Sequence, residues 1–276
     1  MPTLFLQIED GTRTLEQARA LAEQAVGDQR LEITTALAES APIPALKDSS
    51  KDARLLVVGT RGHGALRRGL LGSVSTSLAR HAHCPVAVIP DEDPVPTDGA
   101  VVVGVDGSAC SAHAVGVAYE QAAVRNVALV AVHTWSEVYR YIPREEMLQE
   151  DSALAESLAG YSDRYPDVEI RRVVVEDRPA QRLLHEAQGA QLLVVGSHGR
   201  GGFAGMTLGS VSQAVLHAAP CAVIIARCQT DHTARGNRAL TIGAVSMSRA
   251  WEWLHHGFLD LAAALICWRC LGNRTR

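Results

Sequence analysis

Gly196, Gly199, Gly209 and Ser210 form the spacing Gly-x-x-Gly, nine residues, Gly-Ser. Gly59, Gly62, Gly72 and Ser73 repeat it. In both places an apolar run, Leu192–Val195 or Leu55–Val58, precedes the first glycine. In both, the serine opens a segment with the apolar spacing of a helix. A strand, a glycine loop and a helix in that order make an anion site. Glycines let the backbone approach a phosphate closely. Successive N–H groups of such a loop form a concavity for anions. A helix N-terminus adds its positive end, and Ser210 is expected to cap it there. A second turn, Asp106-Gly107-Ser108, follows the apolar run Val101–Val105 and places a carboxylate at another strand end.

The two loops belong to a larger repeat. Leu55–Gly62 matches Leu192–Gly199, and Leu71–Ser75 matches Leu208–Ser212, at one constant offset of 137 residues. The same offset relates Glu39 to Glu176, Pro42 to Pro179 and Cys84 to Cys221, without a gap from about residue 31 to 90. The chain therefore holds a tandem duplication. The second copy reads as strand (101–105), helix (109–124), strand (127–133), helix (145–163), strand (169–175), helix (179–187), strand (191–195), helix (210–219) and strand (221–226). That alternation predicts an α/β domain, with helices on both faces of a parallel sheet. The first copy reads as a helix over Thr14–Val26, a strand over Leu31–Ala38, a short helix near Ile43–Ser50, then the strand Leu55–Val58, a helix from Ser73 and the strand Val86–Ile89. It has no counterpart of the 37 residues that open the second copy, so its sheet is expected to lack its first two strands. Thr3–Ile8 is a candidate makeshift strand.

The expected organisation is a partial domain over 1–90, an acidic Pro-rich linker over 91–99, a complete domain over 100–227 and an unassigned tail over 228–276. The tail matches neither repeat, so it is expected to be a partner-binding extension or the product of a frameshift. Residues 250–271 have helical potential, but Glu252, His255, His256 and Asp260 argue against a membrane span. Cys267-Trp-Arg-Cys270 is a CxxC without the further ligands of a zinc site or the βαβ setting of a redox motif.

Composition narrows the function classes. With 26 Lys+Arg against 30 Asp+Glu, the formal net charge is −4, which argues against a nonspecific nucleic-acid coat. The hydrophobic share of 47% argues against wholesale disorder. Lys occurs only at 47 and 51, which with heavy Ala use fits a GC-rich bacterial coding bias. The six cysteines stand in a chain whose first 20 residues lack a secretory pattern, so reduced thiols and a cytoplasmic location are expected.

Val103-Gly-Val-Asp-Gly-Ser108, with Val194-Val-Gly-Ser-His-Gly-Arg-Gly201 and Leu208-Gly-Ser-Val-Ser212, resembles the nucleotide-binding branch of the universal stress protein family. The resemblance covers 101–226 fully and 1–90 in part. It implies a Rossmann-like, adenine nucleotide alpha-hydrolase-like sheet of order 3-2-1-4-5. It also implies binding of ATP, with cAMP as the alternative, and a stress-response sensor or regulator. Pairing through the last strand, within the chain or in a homodimer, is implied as well. By this resemblance Gly104, Val105 and Asp106 lie beside the ribose and phosphates, and the backbone near His133–Thr134 meets the adenine. Val195 and Gly196 flank the ribose, and Gly199, Gly209, Ser210 and Val211 hold the phosphates. Magnesium would ride with the triphosphate rather than in a protein cage. The first copy keeps the phosphate loop but has no counterpart of Asp106, so one competent site is expected, in the second copy.

Catalysis is expected to be absent, because no positioned base or nucleophile is evident. His198 and Arg200 read as surface residues of the phosphate loop, where slow ATP hydrolysis is the alternative. His81, His83 and His217 sit near helix ends, where a cation suits the dipole. Cys84 and Cys221 read as packing residues.

Overall fold

Short apolar runs ending at glycine become the strands of parallel sheets, and the Ala- and Ser-rich segments between them become crossover helices. The computed structural model describes residues 2–26, 32–37, 41–60, 72–90, 98–135, 144–200, 207–228, 239–242 and 264–266. The chain divides into two units, one of Met1–Asp91 with Asp231–Arg276, the other of Glu92–Thr230.

The first unit holds α1 (Pro2–Val26), β1 (Glu32–Thr35), α2 (Pro42–Ser49), β2 (Leu55–Gly59), α3 (Ser73–His81) and β3 (Val86–Ile89). The second holds β4 (Val101–Gly104), α4 (Ala109–Arg125), β5 (Leu129–Trp135), α5 (Arg144–Ser162), β6 (Ile170–Glu176), α6 (Pro179–Glu186), β7 (Leu192–Gly196), α7 (Ser210–Ala218) and β8 (Ala222–Ala226). The tail adds β9 (Ala239–Ile242) and β10 (Ala264–Ile266) to the first unit.

In the second unit every strand pair is parallel, and the spatial order is β8-β7-β4-β5-β6. Read in chain order, that is the expected 3-2-1-4-5 arrangement. The order reverses between β4 and β7, which leaves a crevice beyond their carboxyl ends. Both are covered on two faces, so they read as unbroken apolar runs rather than alternating ones; Val101–Val103 and Leu192–Val194 are all fully buried. Ser108 caps α4, its Oγ accepting the Ser111 N–H at 3.2 Å. Asn126 ends α4 in the left-handed region at φ 52°. Helix α4 packs on β4 and β7, and α6 on β4 and β5. The few aromatics of this unit cluster: Tyr119 of α4 stacks on Tyr161 at 5.4 Å and on Tyr165 at 5.9 Å, and its hydroxyl meets Ser162 Oγ at 3.0 Å.

The first unit departs from expectation in two places. Its sheet does not lack a middle: the order is β1-β9-β10-β2-β3, all parallel. Strands β9 and β10 take the positions that β5 and β4 hold in the second unit, in reversed chain order. Residues 264–266, expected within a helix, are therefore strand. The cause is the demand of the facing edges of β1 and β2, whose N–H and C=O groups must be paired. Second, Thr3–Ile8 is helical, part of α1. The alternating Leu4, Leu6 and Ile8 favour a strand, but extending an existing helix costs far less than starting a new element. The buried Leu15, Ala18 and Ala22 give that helix its anchored stripe. The linker residues 91–97 and, in the tail, residues 229–238, 243–263 and 267–276 lie outside the described residues.

Candidate functional site

The end of β4 is fixed by its neighbour β5. Val105 donates its N–H to Val132 O at 2.9 Å. The buried His133 returns the tie, donating from Nδ1 to Val105 O at 2.7 Å. Beyond it, Asp106 folds back on its own turn: Oδ1 accepts the Ser108 N–H at 2.9 Å. Gly107 has φ 75°, a conformation that the turn requires and that favours glycine.

The carboxylate also reaches the loop after β7. Asp106 Oδ2 accepts the Arg200 N–H at 3.2 Å. Ser108 Oγ adds a second strap, donating to His198 O at 3.3 Å. Gly199 stands so close to Asp106 that a Cβ there would overlap Oδ2. The glycine that sequence reading assigned to phosphate approach thus also accommodates the carboxylate.

The loop closes onto α7. Ser197 N–H donates to Ala226 O at 2.7 Å, and Gly209 N–H to Ser197 O at 2.7 Å. Ser212 Oγ donates to Gly196 O at 2.6 Å. Ser210 does not cap this helix: Gly209 is the N-cap residue, and no side chain caps it. Ser210 is instead the first helical residue, so the N–H groups of the first turn of α7 keep their donors for a ligand. The first unit is built alike at the described residues, with Gly72 N–H on Thr60 O at 2.7 Å and Ser75 Oγ on Gly59 O at 2.5 Å. Gly62 and the residues after β10 lie outside the described residues.

These parts enclose one cavity of about 300 Å³ within the second unit. Gly104, Val105 and Asp106 form one wall, and Thr134 lies at the end of β5. Val195, Gly196 and Gly199 come from β7 and its loop, and Gly209, Ser210 and Val211 from the start of α7. All ten residues singled out in the sequence line the same space. Sequence reading missed Ser111, Val132, Pro179, Leu183 and Ser212, which line it too. Pro179 carried a signal, as the first residue of a helix that follows a strand end on the ligand side of the sheet. His198 and Arg200, read as surface residues of the phosphate loop, also line the cavity.

Chemically, the cavity has an apolar half (Val105, Val132, Leu183, Val195) and a half rich in backbone N–H donors with two basic side chains. That combination suits a flat apolar group joined to an anion. Among the described residues no group of three His, Cys, Asp or Glu is arranged to hold a metal ion. Cys84 and Cys221 are buried, and burial pushes the Cys221 thiol up to about 12. His81 and His217 stand in the last turns of α3 and α7.

The model of the universal stress protein family matches residues 2–90 and again 99–227. The chain belongs to the universal stress protein family. A universal stress protein of Mycobacterium tuberculosis is 49% identical over 234 residues, covering 80% of this chain and 78% of the relative. A solved universal stress protein from Pseudomonas aeruginosa shares the fold, with 19% identity, a TM-score of 0.57, and 77% of this chain and 76% of that one covered. Another universal stress protein, solved in complex with cAMP, is 28% identical over 48% of this chain and 98% of its own, with a TM-score of 0.39. The tandem arrangement is thus that of two universal stress protein domains. No helix among the described residues is long and apolar enough to cross a membrane.

Proposed function

We propose that the second universal stress protein domain binds an adenine nucleotide, ATP foremost, and that the chain is a stress-response sensor or regulator whose contacts depend on that nucleotide. One observation carries this reading. The uncapped start of α7, the glycine loop after β7 and the apolar ends of β4 and β5 all face one cavity. The N–H groups of Ser210 and Val211, next to Gly209, would hold phosphate oxygens, with Arg200 and His198 adding positive charge or donors. Val132, Thr134 and Leu183 would border the base. Magnesium would reach the site with the triphosphate, bound by phosphate oxygens and water with few protein ligands.

The proposal includes a single competent site per chain and pairing of copies through a last strand. It assigns no catalytic role: the residues around the cavity are read as holding and orienting the nucleotide. Equilibrium titration of the full chain with ATP, ADP and cAMP tests it, alongside analysis of nucleotide that co-purifies. ATP binding that weakens on Asp106→Ala or Gly209→Val supports the reading. Absence of any nucleotide binding favours a purely structural pairing domain. Magnesium-dependent release of phosphate would make the protein a slow ATPase instead.

A further inference from the structure

The outer edge of β6 carries a charge pattern that is complementary to itself. Strand β6 ends the sheet of the second unit on the side away from β8, and among the described residues no strand pairs with its outer edge. Leu129 N–H donates to Glu169 O at 2.8 Å, and β5 runs parallel to β6 with Leu129 opposite Ile170. In a ladder, alternate residues turn their N–H and C=O groups to the neighbouring strand. Glu169, Arg171, Val173 and Val175 therefore turn theirs to β5, and Ile170, Arg172, Val174 and Glu176 turn theirs outward. An edge seven residues long is a template for another strand.

The side chains fall on two faces. Ile170, Arg172, Val174 and Glu176 share one; Arg171, Val173 and Val175 share the other. From that second face Arg171, 57% exposed, meets the Glu186 carboxylate of α6 at 2.5 Å, and Arg182 joins the same carboxylate. Two arginines on one carboxylate leave a surplus of positive charge beside the edge. Arg172 and Glu176 are exposed.

We propose that β6 pairs antiparallel with β6 of a second copy of this chain, about a twofold axis at Val174. Such an interface uses one patch twice. In this register Val174 faces its own counterpart, and Arg172 faces Glu176 of the second copy. On the other face Val173 comes opposite Val175, and Arg171 opposite Asp177, whose charge balances the surplus at Glu186. Symmetry repeats each of these cross pairs. Directly opposed unlike charges stabilise a strand pair, and like charges weaken it. Moving the register by two residues one way sets Arg172 against Val174 and Arg171 against Val175. Moving it the other way sets Arg172 against Arg178. Among registers that oppose the outward-facing residues, only the one centred on Val174 sets both arginines against carboxylates. Charge on an edge strand usually keeps other strands away; on β6 the two signs are placed to admit one pairing. The ladder ends where the chain leaves the strand, because Asp177 Oδ1 takes the Arg178 N–H at 2.6 Å and Pro179 has no N–H.

This contact differs from pairing through a last strand, since β6 and β8 are opposite ends of the second unit's sheet. It does not depend on nucleotide binding. One strand pair buries less than a standard interface, so the dimer is weak and in exchange with monomer.

Sedimentation velocity of the reduced full chain over a concentration series tests it, with Arg172→Glu, Glu176→Arg and the double variant. Circular dichroism checks that each variant is folded. Either single substitution sets like charges against each other at both symmetric pairs, so self-association should weaken by about tenfold or more. An equal mixture of the two single variants opposes unlike charges again and should form a heterodimer as readily as the unaltered chain forms a homodimer. The double variant should recover in the same way. An unaltered chain that stays monomeric throughout the series overturns the proposal. Dimerisation that neither single variant weakens assigns the contact to another surface, the last strand included, and overturns it too. Weakening without recovery in the mixture and in the double variant also overturns it, because loss of charge pairing alone is reversed by the swap.

Discussion

Gly199→Ala tests whether the phosphate loop and the Asp106 turn form one unit. The added methyl would overlap Asp106 Oδ2, which has little freedom: its partner oxygen takes the Ser108 N–H at 2.9 Å and Oδ2 itself takes the Arg200 N–H at 3.2 Å. The carboxylate must swing away or the loop must retreat by about 1 Å. Either movement breaks the bond to the Arg200 N–H, a charge-assisted hydrogen bond worth about 1.5–3 kcal/mol. It also moves the amides that face the anion. Affinity for ATP should therefore fall roughly 10- to 150-fold, while the fold of the domain survives, because Gly199 is exposed. Titration calorimetry with Gly199→Ala, Asp106→Ala and the double variant provides the assay. Asp106→Ala removes the obstacle, so the double variant should bind as well as Asp106→Ala alone. Independent, additive losses in the double variant would show that the two residues do not act through this contact.

Other outcomes follow from the same geometry. His133→Ala leaves the buried Val105 carbonyl without its ring N–H donor and should cost about 1–3 kcal/mol in denaturant unfolding, together with weaker ATP binding. Burial lowers the His113 pKa below its ordinary 6.5, so the unfolded chain takes up the proton first. Stability should then fall as pH drops below that value. His113→Gln should flatten this dependence in urea unfolding between pH 7 and 5. Removing residues 229–276 deletes β9 and β10 and exposes the edges of β1 and β2. Amide exchange should then lose protection at residues 55–59 and keep it at 101–104; unchanged protection at 55–59 would refute a structural role for the tail.

The repeated architecture was legible because its punctuation is local. Leu-Leu-Val-Val-Gly states a buried parallel strand and its turn in five residues, twice over, and Pro42 and Pro179 each stand at the start of a helix. Gathering Gly104, Asp106, Gly196 and Gly209 at one place needed only the rule that loops at strand ends share a face. What escaped has no local signature. Ala239–Ile242 and Ala264–Ile266 are too short to show a period, and their partners β1 and β2 lie some two hundred residues earlier in the chain. Their pairing is dictated by vacant edges elsewhere, which no window of sequence displays. Ser210 reads as a cap by residue type, yet the backbone places Gly209 at that position.

The proposed function puts one competent nucleotide site in the second domain, where the Asp106 turn joins the phosphate loop. Its most direct test is the stoichiometry of ATP on the reduced full chain by titration calorimetry, with Gly72→Val and Gly209→Val alongside. The expected result is one ATP per chain, lost in Gly209→Val and kept in Gly72→Val. Two per chain, or loss on Gly72→Val with retention on Gly209→Val, would contradict it.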